Sequence, residues 1–168
     1  ADSAGVCGEV ISMSETDDMT AEQMTPEQLA QACSSTMHAQ DYAAQMMGII
    51  IIETVPGRAV LNMEVRKDMV NGHGICHGGM IFTLSDTAFA HSCNNTNKNT
   101  VASGCTIEFL APAREGDTLT ATAVERSRSG RTGVYDIEVT NQEGALIALF
   151  RGKSYQIKGS LVAEGTPS

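Results

Sequence analysis

The feature of this chain that most constrains its fold is one apolar segment with a single charge. Between Gly78 and Asn97 the only Asp, Glu, Lys or Arg is Asp86, and the apolar residues from Met80 to Ala90 recur at helical spacing. A helix that is apolar on nearly all sides has to be buried, and one way to bury it is to wrap a β-sheet around it. The segment therefore predicts a central, buried helix.

The segments before this helix predict one helix and a hairpin, and the segments after it predict strands with no further helix between them. Residues 48–66 predict a hairpin that turns at Pro56-Gly57, and a first helix begins at Thr25-Pro26 and extends to about residue 39. Four β-branched or alternating runs follow, at residues 101–110, 118–126, 132–140 and 145–157. Consecutive strands of this kind predict an α+β fold with an antiparallel sheet rather than a doubly wound parallel one.

Charge is spread unevenly along the chain. Its 168 residues suit one domain, and a net charge of −9 argues against a nucleic-acid or anionic-membrane protein. No Lys or Arg precedes Arg58, and six of the 20 acidic residues lie in residues 1–24. We therefore expect an acidic, disordered tail at 1–24, a folded domain at 25–160 and a flexible C-terminus at 161–168. The rest of the chain is nearly balanced in charge, so the net charge of the protein does not exclude a ligand that carries phosphates.

Cysteine and histidine usage predicts neither disulfides nor a metal site. Five Cys without a C-x-x-C pair do not form a disulfide framework or a thiolate cluster, and no secretion signal is present, so we expect a reducing, cytoplasmic location. His73, Cys76 and His77 are close in sequence but lack a fourth zinc ligand. We expect Cys76 and Cys93 to be buried as small apolar residues, and His91 to be a fully hydrogen-bonded residue at the helix end.

The start of the central helix is a candidate site for a negatively charged oxygen. His77-Gly78-Gly79 precedes the apolar run, and the first N–H groups of a helix lack partners and lie at the positive end of its dipole. Glycines there let a substrate carbonyl approach the backbone with no Cβ in the way. His-Gly-Gly alone is a weak signal, because glycine pairs also occur in ordinary tight turns.

Asp86 is the second candidate on the same helix. A lone carboxylate in a buried-type helix is unfavourable unless it is paired, protonated or used in chemistry; the alternative is that Asp86 faces solvent on the one polar stripe of the helix. Gly78 and Asp86 are eight residues apart, about 12 Å at 1.5 Å per residue. Two groups that act on one carbonyl lie closer than this. If both act, they come from different chains, and a monomer should be inactive.

These residues stand within a longer motif that resembles a known family. Residues 71–90, NGHGICHGGMIFTLSDTAFA, resemble the signature of hotdog-fold acyl-CoA thioesterases, most of all the phenylacetate-degradation (PaaI) type. The similarity continues through residues 105–110, 116–121, 132–138 and 148–154, and it covers about residues 30–160. The sequence contains no Ser-His-Asp or Gly-x-Ser-x-Gly arrangement, so an α/β-hydrolase mechanism is unsupported.

The resemblance implies a fold, an assembly and a set of site residues. The fold is a five- or six-stranded antiparallel sheet around a central helix, in homodimers as the minimal active unit and usually in homotetramers. Asp86 matches the family's catalytic acid, acting as general base or as nucleophile, and the Gly78 N–H matches the donor that polarises the thioester carbonyl. Asn71 matches the residue that orients the water or the acid, and His77 the residue that holds the loop and helps at the carbonyl. The family needs no metal or cofactor, because CoA is part of the substrate and product.

The function implied is hydrolysis of (hydroxy)phenylacetyl-CoA thioesters to the free acid and CoA in phenylacetate catabolism. Asp at position 86, where other branches have Glu, favours this branch. A thioesterase for another aryl or medium-chain acyl-CoA is the alternative, and a non-catalytic acyl-CoA-binding module is a more distant one. We expect Gly79 to contact the substrate and Arg128, Arg131 or Arg151 to meet the CoA phosphates, since Arg suits bidentate phosphate contact.

Overall fold

The computed structural model of the chain describes residues 19–164. The predicted acidic tail therefore falls mostly outside the described residues, as does the end of the predicted flexible C-terminus. Of the described ends, Ala21–Gln23 form a 3-10 turn, and the Ala21 N–H donates to the Ala163 carbonyl at 3.1 Å. The two ends of the described chain thus contact each other.

The predicted elements occur in the predicted order, with strand bounds that agree to within three residues, while the central helix extends to Asn94, four residues beyond the predicted apolar run. A second short helix, at residues 42–47, lies between the first helix and the hairpin. Thr25 caps the first helix through its side chain, which accepts from the Gln28 N–H, and Pro26 occupies the first helical position. The helices are α1 (Pro26–Gln40), α2 (Tyr42–Met47) and α3 (Gly78–Asn94). The strands are β1 (Ile50–Val55), β2 (Arg58–Glu64), β3 (Thr100–Phe109), β4 (Thr118–Ser129), β5 (Thr132–Thr140) and β6 (Leu146–Gln156).

All six strands form one antiparallel sheet, which confirms the predicted α+β class. The strand order is β1-β2-β4-β5-β6-β3, so β1 and β3 are the edges of the sheet. Helix α3 lies on one face, and its residues contact every strand of the sheet. The sequence alternation sets the inner face, because side chains along a strand point alternately to the two sides.

Small residues at the centre of the inner face bring α3 close to the sheet. Ala59 of β2 pairs with Ala123 of β4, and both are fully buried against the helix. Gly152 of β6 lies directly under the ring of Phe89: a Cβ there would be only 2.7 Å from the Phe89 ring. Larger buried residues of the neighbouring positions, such as Leu61 of β2 and Ile137 of β5, complete the core.

Helix α1 covers part of α3 through a polar contact that the sequence did not indicate. His91 is buried, and its Nδ1 is hydrogen-bonded to the Ser34 hydroxyl of α1, while its Nε2 has no partner among the described residues. The prediction of a fully hydrogen-bonded His91 is therefore wrong, because α1 satisfies only one of its two nitrogens. Burial, with a smaller effect from His38, lowers the pKa of His91 to about 4, so the ring is neutral at pH 7. The predictions for Cys76 and Cys93 are confirmed, since both are buried.

Strand β3 is an open edge. Residues 101–106 are all exposed, and the strand is ten residues long with Glu108 as its one charge and no proline. Proteins usually protect an edge of this length with charges, prolines or a covering element, since its free N–H and C=O groups pair readily with another strand.

We predict that Gly152→Ala destabilises the fold. The added Cβ would overlap the Phe89 ring, and overpacking of this kind typically costs about 1–3 kcal/mol in the free energy of unfolding. Urea unfolding followed by circular dichroism measures the change. Gly72→Ala is the matched control, because nothing lies within 4 Å of a Cβ there, and its stability should stay near wild type. Equal stability of the two variants would contradict the close packing of α3 on β6.

Candidate active site

A tight loop precedes α3 and fixes the side chain of Asn71. Val70 and Cys76 form an isolated β-bridge, and the Asn71 N–H donates to the Ile75 carbonyl at 2.9 Å. The Asn71 side-chain oxygen accepts from the His73 N–H at 2.9 Å, so it serves the turn itself. The Asn71 NH₂ group makes no hydrogen bond to any described residue, and Asn71 can therefore act on a ligand only as a donor.

His77 caps α3 by accepting the Gly79 N–H, and it leaves the Gly78 N–H without an acceptor in the described part of the chain. Its Nδ1 accepts from the Gly79 N–H at 2.9 Å, which places the proton of the neutral ring on Nε2. Its own N–H donates to the Met69 carbonyl at 2.8 Å and ties the helix start to the loop. No described residue accepts from the Gly78 N–H. Gly78 thus offers an unused donor at the positive end of the helix dipole.

The space next to each of the two glycines is already occupied. A Cβ on Gly78 would lie 3.0 Å from Cζ of Phe109, and a Cβ on Gly79 would lie 3.1 Å from Nδ1 of His77. The sequence reasoning explained both glycines by the approach of a substrate. The structure shows that side chains of the same chain also lie close to both glycines. Phe109 was missed, because β3 follows α3 and nothing in the sequence pattern brings its last residue back to the helix start.

Gly78 and Asn71 border an apolar cavity of about 540 Å³. Its other walls include Ile75, Ile81, Phe109 and Leu110. A concave, mostly apolar space with a few polar donors is typical of a ligand site. The free Gly78 N–H and the free Asn71 NH₂ belong to residues that border the same cavity. The oxygen of a carbonyl group bound there is therefore near two hydrogen-bond donors.

Asp86 borders a separate depression of about 250 Å³ at the other end of α3. Cys93 and, from β3, Val101 and Ala102 share this depression. The Asp86 carboxylate is partly buried and makes no hydrogen bond or ion pair with any described residue. Partial burial, and to a smaller extent the charge of Asp41, raises the pKa of Asp86 above its usual range. Asp86 is therefore neither fully buried, as an apolar helix face would place it, nor fully exposed.

Comparison with known proteins identifies the family. Residues 73–148 match the model of the thioesterase superfamily. The chain is 52% identical to the acyl-coenzyme A thioesterase PaaI of Escherichia coli K12 over 128 residues, which cover 76% of this chain and 91% of that protein. The chain belongs to the PaaI-type acyl-CoA thioesterases. The predicted family and enzyme class are confirmed.

Solved structures agree with this assignment. The structure of the E. coli PaaI protein from the phenylacetic acid degradation operon superposes with a TM-score of 0.80 at 48% identity, covering 81% of the thioesterase and 99% of that chain. A Streptococcus mutans UA159 protein bound to acetyl-CoA superposes with a TM-score of 0.64 at 27% identity, covering 67% and 90%. The hotdog fold predicted for the thioesterase is confirmed. In the described part of the thioesterase, the helices are too short or too polar for a membrane span.

Two of the three candidate arginines of the thioesterase, Arg128 and Arg131, lie at the same end of the sheet. Arg128 donates to the Thr96 hydroxyl at 3.0 Å, and the Arg131 guanidinium lies 4.7 Å from the centre of the Tyr155 ring. Both lie at the end of the sheet where β3 begins, which is the end that holds the Asp86 depression.

Arg151 is not brought to this site. It alternates with the inward-facing Gly152, so its side chain is on the outer face of the sheet, where it makes two hydrogen bonds to Asp136 at 2.6 and 2.9 Å. The expectation for Arg151 overlooked this partner, because sequence alone does not show that β5 and β6 place Asp136 opposite Arg151.

We predict that His77→Ala weakens the helix start of the thioesterase. Loss of a capping acceptor typically costs about 1 kcal/mol, and His77→Asn should restore most of it because Asn is a good capping residue. His73→Ala is the control from the same loop, since no hydrogen bond of the His73 side chain to a described residue is lost with it. Thermal unfolding of the three variants checks this. A His73→Ala variant as unstable as His77→Ala would contradict the capping role.

Proposed function

We propose that this thioesterase hydrolyses arylacetyl-CoA, specifically phenylacetyl-CoA and its ring-hydroxylated forms, to the free acid and CoA. In this proposal Asp86 of one subunit acts on a thioester whose carbonyl is held by the Gly78 N–H of its partner. The minimal active unit is a homodimer, and homotetramers form from it. The relation to the E. coli PaaI protein from the phenylacetic acid degradation operon supports the substrate class, and the acetyl-CoA-bound S. mutans relative supports a CoA ester as ligand.

One observation carries the proposal for a shared site. The Gly78 N–H and the Asp86 carboxylate, neither of which has a partner in the described part of the chain, are on the same helix, yet the two residues border different cavities. About 12 Å of helix separates them, and a single chain has no means of closing that distance. Each half of the site is open and unpartnered, as expected if the complementary half comes from another chain.

The open edge of β3 supplies a way to bring the halves together. The Gly78 cavity includes Phe109 and Leu110 at the end of β3, while the Asp86 depression includes Val101 and Ala102 at its beginning. A two-fold axis through the middle of β3 would pair the strand antiparallel with its copy, the beginning of one beside the end of the other. The same operation brings Asp86 of each subunit toward Gly78 of the other, giving two equivalent sites.

The chemistry follows from the groups at each shared site. The Gly78 N–H and the helix dipole stabilise the negative charge that develops on the carbonyl oxygen, and the Asn71 NH₂ is a second donor to that oxygen or to the attacking water. As a general base, Asp86 takes a proton from water while the water oxygen attacks the carbonyl carbon. The tetrahedral intermediate then collapses with loss of the CoA thiolate, which takes up a proton. The raised pKa of Asp86 makes its carboxylate a stronger base than an exposed one.

A nucleophilic route uses the same residues. The Asp86 carboxylate then attacks the carbonyl carbon and expels the CoA thiolate, and water hydrolyses the resulting anhydride. In both routes Arg128 and Arg131, at the Asp86 end of the sheet, meet the CoA phosphates. Arg151 is bound to Asp136 on the outer face and is not part of this proposal.

Thiol release from three substrates tests the activity. We expect the wild type to hydrolyse phenylacetyl-CoA and hydroxyphenylacetyl-CoA faster than a long-chain acyl-CoA, and Asp86→Asn to lose at least about a hundredfold in rate, the scale of general acid–base catalysis. Asp68→Asn, an exposed acid that is ion-paired with Arg66, is the control and should keep its rate. Hydrolysis of the long chain alone would refute the aryl substrate but leave Asp86 in place.

Hybrid dimers test whether the site is shared. Asp86→Asn removes the acid, and Asn71→Asp removes the free NH₂ while keeping the oxygen that holds the turn. A hybrid of one subunit of each kind, purified through two different tags, contains one intact site of two if the site is shared. We expect it to recover about half of wild-type activity. If each site instead lies within one chain, both sites of the hybrid are defective and the hybrid stays inactive.

A further inference from the structure

We infer that Phe109 is a specificity-determining residue whose ring contacts the acyl group and favours aryl over aliphatic thioesters. The inference rests on the proposed function, since it takes the carbonyl to be held at Gly78. It starts from the position of one aromatic side chain that the mechanism above does not use.

Phe109 differs from the other phenylalanines of the chain. Phe82 and Phe89 both pack on Phe150 in the core, with their ring centroids 5.4 and 6.2 Å from the centroid of Phe150. Phe109 is on the inner face of β3, opposite the buried Ala148, yet it is 52% exposed. A large apolar ring on the inner face that the core does not cover is available for contact with a ligand or a partner chain.

The contact with Gly78 places this ring at the reacting group. Cζ and the two Cε atoms of Phe109 lie 3.0–3.4 Å from the position that a Cβ on Gly78 would take, so the end of the ring touches the backbone at the proposed oxyanion donor. Both residues border the same apolar cavity. A carbonyl bound at the Gly78 N–H therefore has its acyl substituent beside Phe109.

The chemistry of an arylacetyl group fits this position. Its ring is one methylene beyond the carbonyl carbon, so a short distance separates it from Phe109 once the carbonyl is held. Two aromatic rings prefer edge-to-face or offset contact, and such pairs are stabilised beyond what their buried area contributes. An aliphatic acyl chain of similar size gains the buried area but not this additional term.

The test compares kcat/KM for phenylacetyl-CoA with that for hexanoyl-CoA. In Phe109→Leu we expect the ratio of the two to fall about 3- to 10-fold, mainly through a higher KM for the aryl ester, because the contact is made in the ground state as well as the transition state. Phe109→Tyr keeps the ring and should keep the ratio. Tyr42→Leu removes an exposed aromatic residue on α2 and should change neither value.

Each outcome decides the inference. An equal loss for both substrates would show that Phe109 only supports the Gly78 loop, and an unchanged ratio would show that it does not select the acyl group; either result overturns the inference alone. A wild type that hydrolyses hexanoyl-CoA but not phenylacetyl-CoA overturns the aryl substrate and the inference together. Sedimentation and circular dichroism verify that the Leu variant is folded and assembled, and Phe109→Met replaces it if it is not.

Discussion

Burial of α3 against the inner face of the sheet is the interaction on which the other features depend. The helix carries one charged side chain in seventeen residues, so water is a poor environment for nearly every side of it. Alanines of β2 and β4 and a glycine of β6 allow the backbone of the sheet to approach the helix closely, and larger residues at neighbouring positions fill the rest of the core. Because most of the core lies between this one helix and the single sheet, we expect a change at Gly152 to act on the whole domain.

The sheet covers α3 incompletely, and the functional groups are found where the covering stops. At the N-terminal end of the helix, the loop that carries Asn71 and His77 leaves the Gly78 N–H free. Further along, the partly buried Asp86 faces a depression beside the beginning of β3. Both gaps border the same edge strand, whose hydrogen-bonding groups on one side have no partner strand among residues 19–164. In the proposed dimer, one operation therefore covers the edge and completes both sites.

The sequence predicted the elements better than the contacts between them. Alternation and turn residues locate β2, β4, β5 and β6, and the apolar run locates α3, because these signals are local. The motif around Gly78 and Asp86 identified the family for the same reason. Contacts between distant segments left no such signal: the bond from Ser34 to His91, the pairing of Arg151 with Asp136, and the ring of Phe109 over Gly78 each join residues that only the folded topology brings together.

The placement of the acyl cavity has a consequence for how such an enzyme diversifies. The walls of the cavity come from the loop before α3, the first turn of α3, and the end of β3 with the residues that follow it, whereas Asp86 is half a helix away and, in the proposed dimer, acts on the cavity of the other subunit. Substitutions at positions 75 and 109, which border the cavity but not the Asp86 depression, therefore leave the surroundings of the acid in the same chain unchanged. In the proposed dimer the acyl cavity and the acid that acts on it come from different subunits, so new acyl groups become accessible by mutation at these positions without rebuilding the catalytic carboxylate.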